Sequence, residues 1–168
     1  MVNWTLILAY WLHMAATVVW IGGLFYFSVI LAPILKNSSI LQKDPTILEA
    51  IRRRFNPLAW LSLTVLIVTG LIQMTGNPSY SGLLLFDNTW ALVILLKHIA
   101  IIAMVTLAVV QTWVLQPRLS RALLLQAIHP DTQTDEHARL VHRTMRLTQI
   151  NLLLGILVLL LTAVARTS

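Results

Sequence analysis

The stretch WTLILAYWLHMAATVVWIGGLFYFSVILAPIL, residues 4–35, contains no charged side chain, and no Asp, Glu, Lys or Arg precedes it. A helix needs about 20 apolar residues to cross the hydrocarbon core of a bilayer, so this run is long enough for a tilted helix with an overhang. No basic segment stands before it, as it would in a cleaved signal peptide. We therefore expect residues 4–35 to remain in the membrane as a first span.

Three further apolar runs follow, and they predict spans over about 57–76, 89–116 and 145–165. Asn56-Pro57 is a typical start signal and predicts the beginning of the second helix. Pro117 predicts an end or a kink of the third, and Thr134 predicts the cap of a helix that leads into the fourth. The predicted fold is an all-α, up-down-up-down four-helix membrane bundle, a single domain over residues 1–168.

The composition supports this fold class and excludes several kinds of site. Of the 168 residues, 58% are hydrophobic and only 11% are charged, which is more apolar surface than a soluble domain of this size buries. The chain has no cysteine. Disulfides, iron–sulfur clusters, thiolate-ligated haem and c-type haem attachment are therefore excluded.

The basic residues predict the orientation. Ten of the twelve Lys and Arg residues fall in the two loops that follow the first and third spans, and the loop between the second and third spans has none; the ten are Lys36, Lys43, Arg52, Arg53, Arg54, Arg118, Arg121, Arg139, Arg143 and Arg146. The positive-inside rule then places both loops in the cytoplasm and both termini outside. The formal charge of +6 thus indicates topology and contact with lipid headgroups, and not nucleic-acid binding.

Two histidines lie inside predicted spans at similar depth. At 1.5 Å per residue, His13 is roughly 14 Å from the outer end of the first helix, and His98 is roughly 12 Å from the outer end of the third. Ionisable residues within a span indicate a functional site, because their burial in hydrocarbon is costly. We predict that the two imidazoles ligate one metal centre. The alternative is that each bonds a neighbouring helix or faces a wet cavity.

Several neighbours complete the predicted cofactor site. Thr17 and Trp20 share a helix face with His13, and Gly23 lies one turn further along the same helix. A glycine allows the close approach of a flat macrocycle, or equally of another helix. Lys97 adjoins His98 and is the one cation deep inside a predicted span, since Arg146 stands at the end of the fourth. It could pair with a haem propionate, bind an acidic substrate, or ligate the metal; the alternative is that it snorkels to the surface.

These residues resemble the CopD family of bacterial inner-membrane proteins. The matching stretches are Trp11-Leu12-His13-Met14 through Trp20-Ile21-Gly22-Gly23, Arg54-Phe55 with Thr69-Gly70, and Lys97. The resemblance covers all four predicted spans in order. It implies a multi-pass protein of the bacterial cytoplasmic membrane and, by the family's name, copper handling.

The chain is also similar to the HemJ-type protoporphyrinogen oxidases, which are four-helix haem b proteins. The shared features are a first-helix histidine, Gly23-Leu24-Phe25-Tyr26, Asn56-Pro57 and Lys97. The chain departs from that group because it lacks a basic-plus-histidine ending of the first helix and an acidic residue early in the fourth. It also adds His98, which leaves porphyrinogen oxidation less well supported than haem binding.

The sequence alone favours a b-type haem held by His13 and His98. A haem with two axial histidines has no open position, which favours electron transfer over oxygen chemistry, with a quinone or a redox protein as partner. That activity would make the chain an oxidoreductase. Copper binding or transport is the first alternative, although without cysteine or clustered methionine a soft copper site needs scattered ligands. The others are porphyrinogen oxidation and a structural role as a homo-oligomer or subunit of a respiratory or photosynthetic complex.

Overall fold

The computed structural model describes residues 3–31, 46–76, 89–128 and 134–167, and the regular structure within these ranges is entirely helical. An α-helix, Trp4–Phe25, continues as a π-helix, Tyr26–Leu31. A second helix is Thr46–Thr75. A third, Thr89–Val109, continues as a π-helix, Val110–Leu115, and then as an α-helix, Gln116–Ile128. The last helix is Thr134–Thr167.

Four helical segments within the described ranges are long and apolar enough to cross a membrane. They are span 1, Trp4–Leu31; span 2, Ala50–Thr75; span 3, Ala91–Ala122; and span 4, Ala138–Arg166. The prediction of an all-α protein with four membrane-spanning helices is thereby confirmed. Residues 32–35 of the predicted first span and most of the loop between the second and third spans lie outside the described residues.

The helix start predicted at Asn56-Pro57 is wrong. The second helix begins at Thr46 and contains Pro57 in its interior. The Asn56 side chain does not cap this helix: its amide nitrogen donates to Gln116 at 3.3 Å, and its oxygen accepts from Thr112 at 3.4 Å. Contacts with span 3 thus occupy the groups that the local start signal assigned to a cap.

Pro117 does not end the third helix either. It is the second residue of the α-helical segment Gln116–Ile128 and follows the π-helix Val110–Leu115. A proline lacks the N–H that would bond one turn back, and its ring crowds the carbonyl four residues earlier. The π turn stands directly before the proline, and the helical structure continues through it; a kink at this position stays a prediction.

Spans 1 and 2 pack closely at several levels. The Phe55 ring lies directly over Gly23, and the rings of Phe27 and Phe55 meet edge-on at 5.1 Å. Further along, Gln73 donates to the carbonyl of Ala9 at 3.2 Å. A glycine at position 23 is therefore required because a β-carbon would occupy the space of the Phe55 ring.

The core of the bundle is apolar and receives residues from all four spans. Its buried cluster is formed by Trp20, Leu63, Met104 and Ala108, with Leu154 and Val158 of span 4 packed against it. Large apolar side chains also cover the outside: Val18 is 72% exposed, and Ile102 and Leu153 are each 65% exposed. An outer surface of this kind fits contact with lipid acyl chains.

The two halves of the bundle carry different ionisable residues. The basic end is the half that contains Arg52, Arg53, Arg54, Arg118 and Arg146, and the histidine end is the half that contains His13 and His98. Which end faces the cytoplasm, and hence the predicted up-down order with both termini outside, stays a prediction.

We expect Gly23→Ala to lower the free energy of unfolding by about 1–3 kcal/mol, because the added methyl group meets the Phe55 ring and overpacks the contact. Gly22→Ala is the matched control, since no atom lies within 4 Å of the position of its β-carbon. The control should be neutral or stabilising by up to about 1 kcal/mol, from helix propensity. Thermal unfolding in detergent micelles measures both, and equal midpoints for the two variants would contradict the packing described.

Candidate functional site

The half-buried imidazole of His13 is fixed by span 2. Its Nδ1 lies 2.8 Å from Oγ1 of Thr69. The Thr69 hydroxyl lies 2.6 Å from the Val65 carbonyl and donates its single proton there. With that proton directed to Val65, the hydroxyl oxygen accepts from His13, which assigns the imidazole proton to Nδ1; the imidazole also contacts the backbone carbonyl of Leu66. In this tautomer of neutral His13, Nε2 carries the lone pair.

The imidazole of His98 is also protonated on Nδ1, but through a contact within its own helix. Its Nδ1 lies 2.7 Å from the backbone carbonyl of Ile94, one turn earlier in span 3. A carbonyl oxygen only accepts hydrogen bonds, so Nδ1 donates and Nε2 has the lone pair. Metal-ligating histidines usually have this arrangement, in which one ring nitrogen donates to a protein oxygen and the other is left for the metal.

Lys97 precedes His98 in span 3 and lies close to His13 of span 1. Its ammonium group is close enough to interact with His13, which brings residue 97 of span 3 near the level of His13 in span 1. It also interacts with Arg166, whose guanidinium lies 5.8 Å from the centre of the Tyr10 ring. The histidine end thus combines two imidazoles with the basic side chains of Lys97 and Arg166.

The other predicted site residues are engaged elsewhere. Thr17 donates its hydroxyl to the carbonyl of His13 at 2.7 Å, within its own helix. Trp20 is only 6% exposed and lines a cavity towards the basic end. Gly23 lies beneath the Phe55 ring. A role for these three residues, for His13 and His98, or for Lys97 in binding a cofactor stays a prediction.

Among the described residues, no group of three or more His, Cys, Asp or Glu side chains is arranged to hold a metal ion. A centre at the histidine end therefore depends on His13 and His98. Two neutral imidazoles are suitable donors both for copper and for the two axial positions of a haem iron. By the chemistry of the donor set, the residues present fit either group.

Thr69 belongs to a stretch that carries the CopD resemblance, but its contact with His13 was not predicted from the sequence. It is 5% exposed and determines which nitrogen of His13 is protonated. Gly70, beside it, lies so near His13 that its β-carbon position is 3.5 Å from Cε1 of the ring. The signal was the pair Thr69-Gly70 in an apolar run, since a polar residue next to a small one often marks where two membrane helices approach.

A protein-family model matches most of the chain. The sequence profile of CopD, described as copper resistance protein D, matches residues 49–165. The matched region includes His98, Lys97 and Thr69, and leaves out span 1 with His13. Neither a curated protein sequence nor a solved structure matches the chain significantly.

We expect Thr69→Val to lower the free energy of unfolding by about 1 kcal/mol, because it removes the hydroxyl oxygen that accepts the Nδ1 proton of His13. Thr64→Val on the same helix is the control: the Thr64 hydroxyl is exposed and bonds only the carbonyl of Trp60, so the change should be within about 0.5 kcal/mol. ¹⁵N NMR of labelled histidine adds a direct readout. A wild-type His13 protonated on Nε2 would show that the assigned tautomer is wrong.

Proposed function

The chain belongs to the CopD family of copper resistance proteins, and we propose that this multi-pass membrane protein binds a copper ion through His13 and His98. The observation that supports the proposal best is the shared state of the two rings, each with Nδ1 donating and Nε2 free. Imidazole nitrogen is a preferred ligand of copper, which also binds nitrogen ligands more tightly than the other divalent first-row metals do.

The two histidines lie at the end of the bundle opposite the basic end, which suits copper binding near that surface of the membrane. If the basic loops face the cytoplasm, as the positive-inside rule predicts, the histidine end is in the outer half of a bacterial cytoplasmic membrane. Copper then reaches His13 and His98 from the outside. The hydroxyl of Thr69 and the carbonyl of Ile94 hold the rings in the tautomer that the metal requires, so copper binding would displace no proton from Nε2.

A second candidate function uses the same histidines for a haem b that transfers electrons to or from a quinone or a redox protein. The observation in its favour is the charge around the site, because Lys97 and Arg166 repel a bare cation and attract haem propionates. His13 and His98 would be the axial ligands, with Lys97 as the counter-charge. When bound, such a haem supplies one-electron chemistry without an open coordination position.

We expect His13→Ala and His98→Ala each to weaken copper binding by more than about 100-fold. Removal of a group that only hydrogen-bonds a metal ligand typically costs about 10–100-fold, and loss of the ligand itself should cost more. His142→Ala is the control, because His142 is exposed and lies at the basic end. Elemental analysis after purification and titration with copper under reducing and oxidising conditions measure the effect. An absorption spectrum of the same samples reports haem through its Soret band. Copper retained in both histidine variants would rule out the site.

Lys97→Met distinguishes the two candidates, because it preserves the length of the side chain and removes the charge. If copper is bound, the loss of a neighbouring like charge should tighten binding by about tenfold. If haem is bound, the loss of the same charge should lower the reduction potential, since a nearby cation stabilises the electron-rich state. Copper titration and spectroelectrochemistry of one preparation give both results. An unchanged copper affinity together with a lowered haem potential would reject the copper assignment.

A further inference from the structure

A row of basic side chains follows one face of the last helix, Thr134–Thr167, at the basic end. The row consists of Arg139, His142, Arg143 and Arg146, which are all exposed and line an open groove. Their spacing of three and four residues places them within an arc of about 100° around the helix. These four residues are called the arginine row.

The arginine row points away from the interior of the bundle. Thr144 is 3% exposed and Asn151 is 1% exposed, so they mark the buried face of the same helix. At about 100° per residue, these two positions lie roughly 130–150° around the helix from the centre of the row. The row therefore takes no part in packing the four spans and faces the surroundings of the bundle.

The last helix itself offers little acidic charge to the row. Asp135 precedes Arg139 by one turn, a spacing at which the two can pair. No Asp or Glu follows Glu136 in the chain, so Arg143 and Arg146 have no acidic residue within one helical turn. Two guanidinium groups one turn apart repel each other, and an anion between them removes that repulsion. Arg143 and Arg146 are therefore the part of the row that an external anion would stabilise most.

An apolar row continues the arginine row along the same face of the helix. Its members lie within about 40° of Arg146 around the helix axis. They are Ile150, 41% exposed, Leu153, 65%, Leu157, 42%, and Val164, 41%. Because the helix is uninterrupted, this face changes from apolar to basic within the roughly 6 Å between Ile150 and Arg146. A phospholipid has the same profile, with acyl chains next to a phosphate.

The level of Arg146 along the helix matches that of lipid headgroups. From Arg146 to Arg166 the helix rises roughly 30 Å, which is about the thickness of the hydrocarbon core of a bilayer. The two arginines thus flank the core. Arg143 lies about 4.5 Å further out than Arg146, within the headgroup layer. Both side chains are therefore at a depth where they can reach one phosphate.

We infer that the outer face of span 4 at the basic end is a selective binding site for one anionic phospholipid. The lipid phosphate lies between Arg143 and Arg146, and an acyl chain packs along Leu153 and Leu157. A zwitterionic lipid offers the same phosphate, but the arginines repel its ammonium group. The site is thus more specific than the general attraction of basic loops for headgroups. It involves neither His13 nor the other intramembrane histidine, so it is independent of copper or haem binding.

Phosphatidylglycerol and phosphatidylcholine with the same acyl chains are the matched probes, because both have one phosphate and only the second has an ammonium group. The full chain, delipidated in non-ionic detergent, is titrated with each lipid. The saturable rise of the thermal unfolding midpoint gives the two affinities. We expect phosphatidylglycerol to bind about 20-fold more tightly, from two arginines near one headgroup. Equal affinities, or no saturable binding of phosphatidylglycerol, would overturn the assignment.

Variants then locate the site. Arg143→Gln and Arg146→Gln should each weaken phosphatidylglycerol by about fivefold and leave phosphatidylcholine unchanged, because each removes one charge and keeps most of the side chain. Arg121→Gln is the matched control, since Arg121 is exposed at the basic end but does not line the groove. It should leave both affinities unchanged. A loss in Arg121→Gln equal to that in the other two variants would show only a general attraction to the basic end, against a site on span 4.

Inorganic phosphate separates a lipid site from a site for the free anion. It is added during the phosphatidylglycerol titration, and chloride at equal ionic strength is the reference. We expect both salts to weaken lipid binding equally, because they screen the arginines and neither can occupy the apolar row. Displacement of the lipid by phosphate but not by chloride would show that the anion alone is recognised, and would overturn the assignment to a lipid.

Discussion

Hydrocarbon offers no hydrogen-bond partner, so polar groups within the four spans have to find one inside the protein. Short hydroxyl side chains do so within their own helix: Ser62, Thr106 and Thr162 each donate to the carbonyl one turn earlier. Longer side chains bridge two spans instead, as Gln73 does to Ala9 and Asn56 to Gln116. The relative placement of the spans is therefore constrained most strongly where such bridges form.

These bridges gather at two levels, with the apolar cluster of Trp20, Leu63, Met104 and Ala108 between them. At the histidine end the protein satisfies Nδ1 of both rings and leaves two nitrogen lone pairs. At the basic end the hydrogen bonds of Asn56 with Gln116 and Thr112, and of Thr148 with Gln111, join spans 2, 3 and 4. The lone pairs of two neutral imidazoles would suit a metal, whereas the bonds at the basic end mainly connect the spans.

The spans could be predicted from the sequence because the signal is a sum over about 20 residues and bilayer thickness fixes the length required. The helix start at Asn56-Pro57 could not, because a capping signal is local and the contacts of Asn56 with Gln116 and Thr112 compete with it. His13 and His98 stood out as ionisable residues in apolar runs. Thr69 was matched only as part of the CopD resemblance, and its contact with His13 could not be predicted, because helices that are apolar all round give no dominant face from which a partner could be inferred. The cavity was missed for the same reason, since its wall is assembled from four separate spans.

Fixed charge also restricts how a metal ion would use this bundle. Lys97 lies by the histidine end and Arg52 lines the cavity at the basic end, so positive side chains stand on both sides of the apolar core. Repulsion between like charges is stronger inside the bundle than in water, because the dielectric constant is lower there. If copper is bound by His13 and His98 as proposed, the ion would be opposed by charge on its way along the bundle axis, and Met104 is the side chain that the buried cluster of the described residues would offer it as a ligand. This electrostatic arrangement favours binding and release of copper on the same side of the membrane over conduction through the four spans.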